Sequence, residues 1–122
     1  MTLYILPRKY FVIKQALPYR AAAEACKALN GHLAVFDSPE AYADSGVRQP
    51  GGFWIGINDI EAEGVYVAEP DGERVSVTNW RAGEPNNVGG NEDCVMVDGS
   101  TGQWNDGNCE HSLPAFCQSY ES

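Results

Sequence analysis

Seven of the oxygen-bearing side chains within residues 84–106 stand out by their grouping: Glu84, Asn86, Asn87, Glu92, Asp93, Asn105 and Asp106. They occur in three groups: Glu84-Pro85-Asn86-Asn87, then Glu92-Asp93 directly before Cys94, then Trp104-Asn105-Asp106, with Gly89 and Gly90 between the first two. Carboxylate and amide oxygens in a glycine-containing loop suit a hard cation such as Ca²⁺, which takes about 6–8 oxygens at roughly 2.3–2.6 Å. No histidine lies in the stretch, and the chain has no CxxC or Cys/His spacing, which disfavours zinc and copper. The chemistry expected is a calcium site that binds a further ligand through the metal.

The elements that must position this loop come before and after it. Tyr4 to Ile13 alternates loosely and reads as one or two short strands. Pro18 stands where a first helical turn begins, and Tyr19, Ala22, Ala23, Cys26 and Leu29 follow helical spacing on one face. Gly31 marks the stop of that helix, and Leu33 to Phe36 forms a short apolar link. Ser38-Pro39-Glu40 opens a second, weaker helix that must end before Pro50-Gly51-Gly52. Phe53, Ile55 and Ile57 alternate with Trp54 and Gly56 as a central strand buried on at least one face. Val65-Tyr66-Val67 and Val75-Ser76-Val77 are short strands or arms within a long loop region, a feature that in a small domain is usually functional. Val95-Met96-Val97, Gln103-Trp104-Asn105 and Ala115-Phe116-Cys117 are the closing strands. The expected architecture is one α+β domain over residues 1–122, with two helices, a small mostly antiparallel sheet and a long loop region carrying the site.

The 122 residues suffice for one core and not two. A formal net charge of −9 argues against a nucleic-acid partner, because no basic patch offsets it. Four cysteines, Cys26, Cys94, Cys109 and Cys117, allow three pairings, and an even count in a small loop-rich chain favours disulfides and an oxidising compartment. The opening MTLYILPRKYF lacks the layout of a secretory leader, so Met1 is read as the start of a mature or recombinant form, and no apolar run approaches a membrane span.

The order of these motifs resembles that of a C-type lectin-like domain: Trp54-Ile55-Gly56, Glu84-Pro85-Asn86, the acidic pair before Cys94, Trp104-Asn105-Asp106 and four cysteines, across nearly the whole chain. The resemblance implies the disulfides Cys26–Cys117 and Cys94–Cys109. It implies a principal calcium site of Glu84, Asn86, Glu92, Asn105 and Asp106, with the Glu84–Pro85 bond cis so that both flanking side chains face one ion. An auxiliary calcium site is implied at Asp59, Glu63, Asn87 and Asp93, with Glu92 shared. If Asp59, Glu63, Glu84, Glu92, Asp93 and Asp106 all ligate calcium, much of the net charge is a site rather than a solubility device.

Two adjacent sugar hydroxyls can complete such a principal site. Each oxygen lends a lone pair to the cation, accepts from an amide and donates to a carboxylate. Glu84 with Asn86 brackets one hydroxyl, and Glu92 with Asn105 the other. In this family, EPN order implies mannose, fucose or N-acetylglucosamine rather than galactose. Val88 and Gly107 lie where the family makes secondary sugar contacts. Trp54, Trp80 and Trp104 read most simply as core, with a border of the site as the alternative for Trp80. The implied partner is a glycan, the implied setting extracellular, and homo-oligomerisation the route to avidity. The alternative is a protein- or ice-binding domain on the same scaffold, keeping calcium for loop stability. An enzyme is disfavoured. A glycosidase needs a general acid of raised pKa, and carboxylates gathered on one cation are held ionised. His32 and His111 stand alone, and no nucleophile–base set is apparent.

Overall fold

A computed structural model describes residues 3–5, 10–36, 50–68, 72–74, 79–80 and 93–119. The elements are β1 (Leu3–Ile5), β2 (Tyr10–Leu17), α1 (Tyr19–Ala28), β3 (Gly31–Leu33), β4 (Gly52–Asn58), β5 (Val67–Ala68), β6 (Glu73–Arg74), β7 (Cys94–Asp98), β8 (Gln103–Gly107) and β9 (Leu113–Ser119). One sheet holds the nine strands, with the path β1-β2-β9-β4-β5-β6, β3 also on β9, and β7 joining β4 to β8. Among the described strands the pairings are antiparallel except β4 against β9, which meet in parallel at Trp54 and Ala115; an isolated parallel bridge also joins Trp80 and Trp104. The second helix expected after Ser38 and the arm Val75-Ser76-Val77 lie outside the described residues.

The central strand is buried on both faces. Phe53, Ile55 and Ile57 pack with Tyr10, Val12, Phe36, Val95, Val97, Trp104 and Phe116. Trp54 faces the other way, into Ile13, Tyr19, Cys26, Leu33 and Ala115. Full burial of such side chains contributes roughly 1.5–3 kcal/mol each. Gly56 has a separate reason: a Cβ there would stand 2.5 Å from the carbonyl oxygen of Leu33, and its own N–H donates to Ala34 O at 2.8 Å.

Of the expected stripe, helix α1 buries Tyr19, Ala22 and Cys26; Ala23 is half-buried, and Leu29 is the C-cap beyond the last turn and is exposed at 39%. Pro18 is its N-cap rather than a residue of the first turn. Its ψ of 159° is extended, while its carbonyl accepts the first helical bond, from Ala22 N at 2.8 Å. The helix also stops without Gly31. Asn30 takes the left-handed conformation (φ 63°), and Gly31 already belongs to β3, opposite Ser119, where a Cβ would meet Gln118 O at 2.6 Å. Part of the supposed apolar link is therefore strand, because Gly31–Leu33 pairs with β9. Two disulfides close the frame, Cys26–Cys117 (Cα–Cα 5.8 Å) from α1 to β9 and Cys94–Cys109 (5.3 Å) across the base of β7 and β8. These are the pairings the resemblance implied.

Candidate calcium site

The site begins where β4 loses register with β7. Trp54 opposes Met96, but Asn58 opposes Cys94, so four steps along β4 match two along β7. The extra residues bend the strand end, as bulges do, and bring the next backbone N–H, that of Asp59, to Asp93 O at 2.9 Å. Asn58 Oδ1 accepts from Ile60 N at 3.2 Å and Asp59 Oδ2 from Gly64 N at 2.8 Å, so the chain folds back on itself over residues 60–64. Gly64 takes a positive φ of 81° to close the turn.

This turn returns Glu63 to Asp59, and the Asp93 side chain completes a trio whose carboxylate oxygens lie within 4.8 Å of one another. Asp59 is buried, Asp93 half-buried and Glu63 exposed. Three carboxylates this close resist simultaneous ionisation. A hydrogen bond with Asp59, then loss of hydration and the charges of Asp59 and Asp93, raise Glu63 to about 7. Burial raises Asp59 as well, opposed by the Gly64 N–H. The crowding of the three carboxylates thus favours a positive charge among them, whether a proton or a cation.

On the neighbouring strand, β8 presents Asn105 opposite Met96 and Asp106 opposite Val95. Asp106 is buried at 4 % exposure. Two buried acceptors, Asp59 Oδ1 and Asn105 Oδ1, have no hydrogen-bond partner in the structure. A buried acceptor without a donor costs about 1–3 kcal/mol, and oxygen-only donors of this kind are the ligands a hard cation takes. The described residues therefore fit calcium.

Tyr66 joins the two groups of acids. Its phenol is pushed up by burial and then by the charges of Asp59, Asp106, Glu63 and Asp93. Its ring meets Trp80 edge-on at 5.0 Å, and Trp80 meets the fully buried Trp104 at 5.6 Å. Trp80 is half-buried between them, packed against the apolar core that includes Trp104. Asn79 anchors that segment, donating from Nδ2 to Gly102 O (2.6 Å) and accepting Trp104 N–H at its own carbonyl (2.8 Å). The sequence reading missed Tyr66 and Asn58. The only signal for either was a polar aromatic and an amide flanking the Asp59–Glu63 stretch.

The structure thus brings Asp59, Glu63 and Asp93 together and sets Asn105 and Asp106 on the adjoining strand. Glu84, Pro85, Asn86, Asn87, Val88 and Glu92 lie outside the described residues. Gly107 is buried at the end of β8, where a Cβ would approach Met96 Sδ at 3.6 Å and the Trp54 ring at 3.7 Å. Among the described residues no helix is long and apolar enough to cross a membrane.

Comparison with known proteins places this geometry. Residues 15–119 match the family model of the lectin C-type domain. The mouse low affinity immunoglobulin epsilon Fc receptor is 38% identical over 120 residues, which span 97% of this chain and 33% of the receptor. Chicken Collectin-10 is 34% identical over 113 residues, 89% of this chain and 40% of that protein. The chain therefore spans well under half the length of these two relatives. Among solved structures, the cow carbohydrate-recognition domain of CD23, determined in the presence of a GlcNAc2Man3 oligosaccharide, superposes with a TM-score of 0.85 at 32% identity, covering 98% of this chain and 94% of that one. A calcium-independent type II antifreeze protein shares the fold at TM-score 0.78 and 22% identity, covering 96% of this chain and 95% of its own. The family is one of non-enzymatic binding proteins. On the family match, the shared fold and the two disulfides, this chain belongs to the C-type lectin domain family.

Proposed function

We propose that this chain is a calcium-dependent carbohydrate-recognition domain, spanning residues 1–122, that takes mannose, fucose or N-acetylglucosamine. The observation that carries the reading is Asn105 Oδ1, a buried acceptor with no hydrogen-bond partner, beside the buried carboxylate of Asp106 on the strand bearing Trp104-Asn105-Asp106. In this reading Glu84, Asn86, Glu92, Asn105 and Asp106 hold the principal ion, and Asp59, Glu63, Asn87 and Asp93 hold an auxiliary one. When bound, the principal ion supplies direct coordination to two vicinal hydroxyls. The protein's own part is to orient them: the amides of Asn86 and Asn105 donate, and the carboxylates of Glu84 and Glu92 accept the hydroxyl protons. The EPN order of Glu84-Pro85-Asn86 supports the mannose-type class, as does the GlcNAc2Man3 oligosaccharide in whose presence the cow CD23 domain was determined.

The two disulfides support an extracellular, secreted setting, and multivalent display through a homo-oligomer supports useful avidity. The likeness to an antifreeze protein favours a second reading, ice or protein binding on the same frame, but at 22% identity it speaks for the fold alone. Retention on immobilised mannose, released by EDTA and by free N-acetylglucosamine but not by galactose, is the expected result. Passage through the column in the presence of calcium favours the second reading.

A further inference from the structure

The Asp59–Glu63 turn has an anchor outside the acidic group, and it reaches helix α1. Asn58 is the last residue of β4 and is 3 % exposed. Its Oδ1 accepts the Ile60 N–H at 3.2 Å. A backbone N–H can only donate, so this contact fixes which end of the amide is oxygen and turns Nδ2 the other way. Nδ2 donates to the hydroxyl of Tyr19 at 3.3 Å in the buried interior. Tyr19 is itself held on three sides. It opens α1, its ring meets Trp54 edge-on at 5.5 Å, and its N–H donates to Cys109 O at 2.8 Å. Trp54 in turn donates from Nε1 to Leu17 O at 3.0 Å. One buried amide therefore links the start of the helix, the end of the central strand and the first residues of the acidic turn.

We propose that Asn58 and Tyr19 form a positioning pair that sets the aim of Asp59, and thereby the calcium affinity of the Asp59–Glu63–Asp93 group; the inference rests on reading that group as a calcium site. Asp59 follows Asn58 directly, with its N–H on Asp93 O and its Oδ2 on Gly64 N–H, and Oδ1 is the atom left to face a cation. Coordination by oxygen is confined to about 2.3–2.6 Å, so a small tilt of the peptide between Asn58 and Asp59 carries Oδ1 out of range. Neither Asn58 nor Tyr19 is a ligand; they act through Asp59.

The test is calcium titration by calorimetry of metal-depleted wild type, Tyr19→Phe, Asn58→Ala and the double variant. Each is measured at a temperature where circular dichroism shows it fully folded without metal. Tyr19→Phe removes one oxygen and keeps the ring against Trp54. Should Asn58→Ala not fold, Asn58→Ser, which keeps an acceptor for Ile60, takes its place. The binding event abolished by Glu63→Gln identifies the trio. Loss of one hydrogen bond of this kind corresponds to about three- to tenfold in affinity, and that weakening is expected in each single variant. The double variant is expected to be no weaker than the weaker single one, as for two members of one contact. Unchanged calcium affinity in Tyr19→Phe, even with a lower melting temperature, overturns the proposal, as do fully additive losses in the double variant. Absence of any calcium binding by the wild type overturns instead the calcium reading on which the pair depends.

Discussion

Exchanging Asp59 for asparagine separates the two energies that meet in the trio. Without a cation, Asp59 holds a buried carboxylate against Glu63 and Asp93, and its Oδ1 has no donor. An amide there removes one charge from the trio and offers N–H groups where Oδ1 now stands, while its remaining oxygen keeps the Gly64 N–H. Relieving one buried unsatisfied acceptor is worth about 1–3 kcal/mol. At about 4 °C per kcal/mol, the value between the ranges for smaller and larger domains, Asp59→Asn should melt several degrees higher than wild type in EDTA. In saturating calcium the order should reverse, because the variant has lost a ligand. The pH dependence supplies a second reading of the same charges. In the wild type Glu63 is raised from 4.5 to about 7, chiefly by its hydrogen bond with Asp59. The folded apoprotein therefore binds more protons than the unfolded chain between those values, and its stability falls as pH rises through that window. In Asp59→Asn the Glu63 titration should move back toward its ordinary range and that slope should flatten. Scanning calorimetry across the window, with and without calcium, and carboxyl NMR titration measure both. A variant less stable than wild type in EDTA, with calcium affinity intact, would refute the reasoning: the trio would then be an ordinary hydrogen-bonded turn.

Three further outcomes follow from the same structure. Calcium uptake at the trio should release protons in mildly acidic solution and weaken as pH falls through about 7, since ligands must be ionised to bind; a pH-indifferent affinity counts against it. Replacing Cys94 and Cys109 together by alanine opens a link of sequence separation 15. By the chain-entropy estimate this should cost about 3 kcal/mol, seen as a lower denaturant midpoint, and an unchanged midpoint contradicts it. The exchange Glu84→Gln with Asn86→Asp should shift preference from mannose toward galactose while calcium binding persists, and an unaltered glycan-array profile removes the basis for the mannose-type assignment.

The sequence alone carried the family resemblance and the core. Trp54-Ile55-Gly56, the cysteine spacing and Trp104-Asn105-Asp106 are local patterns, and apolar alternation in β4 and helical spacing in α1 report burial directly, because side-chain period follows backbone geometry. The oxygen-rich composition likewise announced a hard cation before any fold was known. Boundaries were less legible. Gly31 was read as a helix stop because glycine favours positive φ, yet Asn30 supplies that conformation and Gly31 is required by the carbonyl of Gln118 on a strand far along the chain. The resemblance grouped Asp59, Glu63 and Asp93, but only the tertiary structure supplies the physical reason that they meet. Asp93 joins Asp59 and Glu63 because β4 slips two residues against β7, a register that no local pattern encodes. It alone set Tyr66 in the field of four carboxylates and Asn58 against Tyr19. Those contacts join residues distant in sequence, so their energies exist only once the sheet has closed.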